Sequence, residues 1–192
     1  QTYGQLTSRV EIARTELARL APAGSNIVIM GESSLLFIEA LFAALSAGLP
    51  VVPLHPRYPR GEVERAVQLA RPVLIVSTDD ASYAMAQGLS IEHIRAEELF
   101  VESQGEPIAP LDLEPDHPAL LMFTSGTAGS PRIAVLSHGN VAASIEQSRS
   151  SAPGLADNKH TILGVMPLTH VLGIVSVVAV AISVGATVVL AT

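Results

Sequence analysis

Short apolar runs rich in β-branched residues alternate with amphipathic helical patterns, and this alternation constrains the fold more than any other feature of the sequence. Apolar residues at helical spacing predict helices over 8–20, 35–47 and 60–70. Continuous apolar runs predict strands over 27–30, 51–54 and 73–77. Strands that are apolar on both faces are typical of parallel sheets covered by helices. The predicted fold class is therefore α/β, a layered, mostly parallel sheet with flanking helices.

The domain organisation is predicted to be one unit over 1–192, because no internal repeat or low-complexity tract interrupts the pattern. Between 82 and 116 the periodicity weakens, and four prolines over 107–118 with six acidic residues over 97–114 predict a surface connection of unassigned topology. The acidic turn formed by Thr78, Asp79 and Asp80 is interpreted as a solvated turn.

Residues 171–190 carry no charge, and this run is long enough for a membrane-spanning helix. Gly185 divides it into a helix-like half and a β-branched half, and no aromatic belt or basic cluster flanks it. We therefore predict a buried helix, a turn and a buried strand, and no membrane span.

The segment 120–138 carries the clearest chemistry. An apolar strand leads into a loop of glycines and hydroxyl residues, followed by Arg132 and a second strand. Glycines let backbone N–H groups approach an anion, hydroxyl groups donate to phosphate oxygens, and a guanidinium adds positive charge. The pattern predicts polyphosphate binding, and a plain hairpin turn built from the same residue types remains the alternative.

Several classes of protein are excluded by the same sequence. The loop does not match the Walker pattern, and neither the dinucleotide fingerprint nor the hydrolase nucleophile elbow is present. The absence of cysteine removes thiolate chemistry, and a net charge of −7 with 4% aromatic residues argues against nucleic-acid binding. The histidines show no metal-ligand spacing, so no metal site is predicted in the chain. Ser137 and His138 are expected to have a structural role at a helix start.

Four segments together resemble the motifs of the adenylate-forming superfamily, which includes acyl-CoA synthetases and the adenylation domains of nonribosomal peptide synthetases. They are 2–6 (TYGQL), 47–59 (AGLPVVPLHPRYP), 124–132 (TSGTAGSPR) and 167–173 (PLTHVLG), in the family's order. Three positions depart from the usual pattern. Ala128 replaces a Ser or Thr, Arg132 replaces a Lys, and His55 replaces an Asn or Asp.

The resemblance implies an ATP-dependent carboxylic acid:thiol ligase. In that family a carboxylate attacks the α-phosphate of Mg²⁺·ATP, pyrophosphate leaves, and the thiol of CoA or of carrier-protein phosphopantetheine displaces AMP. By resemblance, His170 is the candidate catalytic residue and borders the acyl pocket. The residues implied to hold the β- and γ-phosphates are Thr124, Ser125, Gly126, Thr127, Gly129 and Arg132.

The resemblance also implies that the chain is the N-terminal part of a longer adenylation domain, with the later motifs and the C-terminal lobe beyond Thr192. We expect the isolated chain to be inactive and to self-associate through exposed apolar surface. The apolar residues after His170 favour an acyl or aryl acid, which places the enzyme in fatty acid metabolism, and the cytoplasm is the expected location. The rival hypothesis is a noncatalytic nucleotide- or partner-binding module.

Overall fold

A central six-stranded sheet is the main element of the computed structural model, which describes residues 1–100, 107–124, 132–151 and 158–191. Its strands are β1 (Ile27–Met30), β2 (Val51–Leu54), β3 (Leu74–Ser77), β4 (Glu92–Arg95), β5 (Pro118–Thr124) and β6 (Arg132–Ser137). They lie in the order β4-β3-β1-β2-β5-β6, and all neighbours are parallel except β5 and β6. The predicted α/β class with a mostly parallel sheet is confirmed.

Helices cover both faces of this sheet. They are α1 (Tyr3–Leu20), α2 (Leu35–Ser46), α3 (Arg60–Ala70), α4 (Asp80–Ala86), a 3₁₀ helix (Ala96–Phe100) and α5 (His138–Ser151). Helices α1 and α2 pack on one face, against a core cluster that includes Leu17, Phe37 and Ile29. Helices α3 and α4 pack on the other face, around Val63 and Met30. Helices on both faces of a parallel sheet define a doubly wound arrangement.

The chain reverses its winding direction between β1 and β3. Strand β1 leads through α2 to β2 on one side, and the next crossover returns the chain to β3 on the other side. At the ends of these two strands, a Cβ on Gly31 would collide with Thr78 Oγ1. Asp79 accepts hydrogen bonds from the Glu32 amide at 2.8 Å and the Ser82 amide at 2.7 Å. Asp79 thus joins the turn after β1 to the start of α4.

A second, smaller sheet follows. Strands β7 (Thr161–Gly164) and β8 (Thr187–Leu190) pair in parallel, joined by a π-helix (Leu172–Ala179) and the short helix α6 (Val180–Val184). Gly185 ends α6 with a φ of 71°, in the left-handed region that favours glycine. The helix–turn–strand prediction is confirmed, but the expectation of a buried strand is wrong. Val189 is 47% exposed, because alternate side chains of β8 lie on a face that is open to solvent.

Within the described ranges, no helix is both long enough and apolar enough to cross a membrane. The uncharged run 171–190 is divided between the π-helix, α6 and β8, and none of these reaches the length of a bilayer.

Three local predictions need correction. Helix α1 begins at Tyr3, not at residue 8, because Thr2 and Gln5 form a capping box that starts the helix earlier. The weakly patterned segment after 82 contains the rest of α4, strand β4 and the 3₁₀ helix, where only a surface connection was expected. The turn at 78–80 is also more ordered than predicted, because Thr78 is buried and Asp79 caps α4.

Candidate functional site

The predicted phosphate loop joins two strands of an antiparallel hairpin. Strand β5 ends at Thr124 and β6 begins at Arg132, and these two residues are partners in the register. The Thr124 hydroxyl donates a hydrogen bond to the Arg132 carbonyl oxygen at 3.2 Å, which closes the neck of the loop. Both residues are exposed at this end of the hairpin. The predicted strand–loop–strand arrangement is confirmed by this pairing.

The remaining predicted phosphate-binding residues, Ser125, Gly126, Thr127 and Gly129, lie outside the described residues, as does Ala128. The closed neck still defines where their segment starts and ends. Thr124 and Arg132 place this neck at one end of the hairpin.

That end is the carboxyl edge of the parallel sheet. Val51 of β2 aligns with Leu120 of β5 and with Ile27 of β1, so the three strands run in one register. With neighbouring strands roughly 5 Å apart, the end of β5 lies about 10 Å from the end of β1. Ligands of doubly wound sheets bind at this edge, beyond the carboxyl ends of the strands.

His170 lies in a tight turn between β7 and the π-helix. Its amide donates to the Pro167 carbonyl oxygen at 3.0 Å, and its own carbonyl accepts from the Ile174 amide at 3.1 Å. Nδ1 of the imidazole accepts from the Leu172 amide at 3.4 Å, and the side chain is exposed. Gly173 is required here, because a Cβ would lie 2.8 Å from the Met166 carbonyl oxygen and closer still to that of Pro167.

A hydrogen bond connects this turn to the main sheet. The Leu168 amide donates to Ser33 Oγ at 3.0 Å, and Ser33 belongs to the turn that follows β1. By residue type, Ser33 and Ser34 are both candidate caps for α2. In the structure Ser34 is the cap of α2, accepting from the Phe37 amide, while Ser33 contacts the distant turn. No local pattern signals this contact, since the two residues lie 135 positions apart.

Two structural contacts relate the predicted site residues to the carboxyl edge of the sheet. Thr124 and Arg132 reach it at the end of the β5–β6 hairpin, and His170 reaches it through the contact between Leu168 and Ser33. Among the described residues, no carboxylate lies within ion-pair distance of Arg132, so no acidic side chain of these ranges engages its guanidinium.

The turn after β2 explains one departure from the family pattern. His55 Nδ1 accepts a hydrogen bond from the Arg57 amide, two residues later, at 3.1 Å. Asn and Asp side chains make the same contact in Asx turns, so a histidine at this position preserves the turn. Arg57 in turn pairs with Glu32 at 2.7 Å, which ties this turn to the one after β1.

The start of α5 has a structural role, as the sequence indicates. Ser137 and Asn140 exchange hydrogen bonds between side chain and backbone, at 3.0 Å and 3.2 Å. The His138 ring faces that of His117, and burial together with this neighbour lowers the pKa of His138. His117 also contacts the Gly48 carbonyl oxygen through Nε2 at 3.2 Å. His117 therefore links the segment before β5 to the turn after α2 and to the start of α5.

The donor set suits an anion better than a metal. Hydroxyl and guanidinium groups, as at Thr124 and Arg132, donate hydrogen bonds or carry positive charge, whereas Mg²⁺ requires oxygen ligands, usually carboxylates. Over the described ranges, no group of three or more His, Asp or Glu residues is close enough to hold a metal ion.

The fold and the position of the hairpin neck agree with the resemblance to adenylate-forming enzymes, and comparison with known proteins identifies the family. The chain belongs to the AMP-binding enzyme family, whose profile matches residues 1–192.

The chain is similar to parts of two longer proteins. The chain is 32% identical to tenellin synthetase of Beauveria bassiana over 149 residues, which is 72% of the chain and 4% of that protein. It is 31% identical to feruloyl-CoA synthase of Amycolatopsis over 144 residues, covering 73% of the chain and 29% of the synthase. The chain therefore spans only a small part of the relatives that it matches.

The fold matches that of o-succinylbenzoate CoA synthetase from Bacillus subtilis, solved in complex with its acyl-adenylate intermediate. The TM-score is 0.84 at 22% sequence identity, over 99% of this chain and 49% of the synthetase. This similarity confirms the fold of the N-terminal part of an adenylate-forming enzyme.

Proposed function

We propose that the protein containing this chain is an AMP-forming ligase. It activates an acyl or aryl carboxylic acid as acyl-AMP, releases pyrophosphate, and transfers the acyl group to the thiol of CoA or of a carrier-protein phosphopantetheine. The observation that carries the proposal is the hairpin neck between Thr124 and Arg132, at the carboxyl edge of the sheet in a member of the AMP-binding family.

The chain's own residues suit the triphosphate of ATP. The hydroxyl and backbone N–H groups of the loop donate to phosphate oxygens, and Arg132 neutralises charge that builds up on the leaving pyrophosphate. The residues proposed for this role are Thr124, Ser125, Gly126, Thr127, Gly129 and Arg132. ATP supplies the adenylyl group, with Mg²⁺ carried on its phosphates.

His170 is proposed to border the acyl group and the adenylate. Its turn is fixed by hydrogen bonds on both sides, so the exposed imidazole has a defined position at the edge of the site. A side chain held in this way excludes water and orients the carboxylate for in-line attack on the α-phosphate.

The apolar residues after His170 differ in whether a substrate could reach them. Ile174 is only 2% exposed and packs in the core, so it is not available to a substrate. Leu172 is 48% exposed and is the apolar side chain of this segment best placed to contact an acyl or aryl group. The name of the feruloyl-CoA synthase relative supports an aryl acid and CoA. The name of tenellin synthetase indicates neither an acid nor CoA.

The test is carboxylate-dependent exchange of labelled pyrophosphate into ATP, using the product of the complete reading frame and panels of fatty, aryl and amino acids. Exchange with one acid class is expected, and release of AMP with CoA or with a carrier protein then identifies the acceptor. We predict that the isolated 192-residue chain catalyses no exchange, and a measurable rate from it would contradict that part of the proposal.

Two departures from the family pattern favour a second candidate, a noncatalytic nucleotide- or partner-binding module. Ala128 lacks the usual hydroxyl, and the planar guanidinium of Arg132 contacts phosphate differently from a lysine ammonium. A folded protein that binds ATP in equilibrium dialysis, yet exchanges pyrophosphate with no acid, would support this candidate and overturn the ligase.

A further inference from the structure

The contact between Ser33 and Leu168 joins two parts of the molecule that are remote in sequence. Leu168 is 1% exposed, and its amide donates to Ser33 Oγ at 3.0 Å. A buried amide without a partner costs free energy, so this hydroxyl satisfies a group that the turn at 167–170 leaves open. The bond is the polar connection between the β1–α2 turn and the His170 turn.

Ser33 itself is held on both sides. Before it, the Glu32 amide donates to Asp79 Oδ2 at 2.8 Å. After it, Ser34 caps α2 by accepting from the Phe37 amide at 3.1 Å. Because both neighbours are fixed to rigid elements, the Ser33 hydroxyl is a preorganised acceptor, not a mobile surface group.

Further contacts fix the turn that Ser33 holds, so the position of Leu168 determines the position of His170. His170 follows Leu168 by two residues and bonds back to Pro167 at 3.0 Å. Beyond it, Gly173 packs directly against the carbonyl oxygens of Met166 and Pro167. A shift of Leu168 must therefore move His170 as well.

We infer that Ser33 is a positioning residue, whose hydroxyl fixes His170 relative to Thr124 and Arg132 at the end of the β5–β6 hairpin. This inference rests on the proposed ligase function. It assigns to Ser33 an effect on the acid half of the site and none on the phosphate half, because Thr124 and Arg132 are held by their own hairpin.

The experiment compares Ser33→Ala, Ser33→Thr and Ser34→Ala in the product of the complete reading frame. Ser34→Ala is the matched control, since it removes an adjacent hydroxyl whose partner is Phe37 and not Leu168. Steady-state pyrophosphate exchange gives kcat and KM for the acid and for MgATP. Hydrogen exchange followed by mass spectrometry reports the protection of the Leu168 amide without depending on activity.

Ser33→Ala is expected to lower kcat/KM for the acid about tenfold, while KM for MgATP stays within about twofold of the wild type. Ser33→Thr, which keeps the hydroxyl, should restore most of the activity. The Leu168 amide should exchange faster in Ser33→Ala and at the wild-type rate in Ser34→Ala.

Three results would overturn the inference: wild-type kinetics in Ser33→Ala, an equal loss in Ser34→Ala, or unchanged protection of Leu168 in Ser33→Ala. Failure of the proposed function looks different, because the wild-type protein would then exchange pyrophosphate with no acid. In that case the hydrogen-exchange comparison still decides whether Ser33 anchors the turn.

Discussion

The imidazole rings of His117 and His138 face each other, with their centroids 5.9 Å apart, where the segment before β5 meets the start of α5. Burial, and secondarily the neighbouring His117, lower the pKa of His138 below its ordinary value of 6.5. The unfolded chain therefore binds a proton at a higher pH than the folded chain. The stability contributed by neutral His138 is complete above about pH 6.5 and is lost as the pH falls through the lower folded-state pKa.

Acidification should accordingly destabilise the fold, and His138→Gln should reduce this sensitivity. The measurement is the urea midpoint of the chain at several values between about pH 7.5 and about pH 5. Gln147→Ala, an uncharged and exposed position on α5, is the control and should keep the wild-type slope. An unchanged slope in His138→Gln would assign the acid sensitivity to other groups.

The sequence predicts the interior of the sheet well and its periphery poorly. Strands β1 and β2 have the predicted bounds because both are buried on both faces and consist of continuous apolar residues. Strand β4 (EHIR) is an edge strand with partly exposed side chains, and no hydrophobic run marks it. The exposure of β8 was also not predicted, because the residue pattern does not show which face of a strand other elements cover.

For the site, the hairpin around the phosphate loop could be predicted, because glycines and hydroxyl residues between two apolar runs have a local signature. The family resemblance located His170, yet not what holds its turn. The contact between Ser33 and Leu168 depends on Leu168 and the π-helix sharing a core cluster with α2, and no short-range pattern contains that information.

Gly173→Ala should destabilise the chain by about 2 kcal/mol, because the added methyl would meet backbone carbonyl oxygens that cannot rotate away. Gly61→Ala is the matched control. Gly61 lies in α3 with no atom within 4 Å of its Cβ position, so alanine there should stabilise by about 0.5 kcal/mol. Chemical denaturation of both variants decides this, and equal midpoints would refute the steric explanation.

The buried carboxylate of Glu39 gives a third prediction. It is 3% exposed and accepts hydrogen bonds from Arg9 Nε at 2.5 Å and Gln1 Nε2 at 2.6 Å, while the Arg9 guanidinium stacks on Phe100. Arg9→Met should cost about 2 kcal/mol, because the charge stays buried after losing its main partner.

Adding Glu39→Leu to Arg9→Met should recover much of that loss, since the double variant leaves no unpaired charge. A double-mutant cycle from urea unfolding measures the coupling. Strictly additive costs would mean that the two side chains contribute independently.

Removing the guanidinium at the loop neck should weaken nucleotide binding. In the complete protein, Arg132→Ala is expected to raise KM for MgATP at least about tenfold, because a charge-assisted contact to phosphate is lost. Arg132→Lys restores the family's usual residue and should retain or increase activity. Arg149→Ala, on the exposed surface of α5, is the control. A wild-type KM in Arg132→Ala would remove this residue from the proposed phosphate site.

The small sheet predicts the behaviour of the isolated chain in solution. Leu163 and Val165 are 59% and 63% exposed, and Leu172 is 48% exposed. Large apolar side chains exposed to water promote association, so the isolated chain should form oligomers as its concentration rises. Sedimentation velocity on Leu163→Asn/Val165→Asp should detect a larger monomer fraction, and a monomeric wild-type chain would contradict the prediction.

The crevice between β1 and β3 has a consequence for where chemistry can occur. Doubly wound sheets commonly take their ligands where the winding direction reverses. Here the Thr78 hydroxyl fills the space beside Gly31, and the Asp79 carboxylate already bonds the Glu32 and Ser82 amides. Side chains of the chain itself therefore occupy the crevice that such sheets commonly use, and the proposed phosphate site lies two strands away, at the antiparallel β5–β6 hairpin.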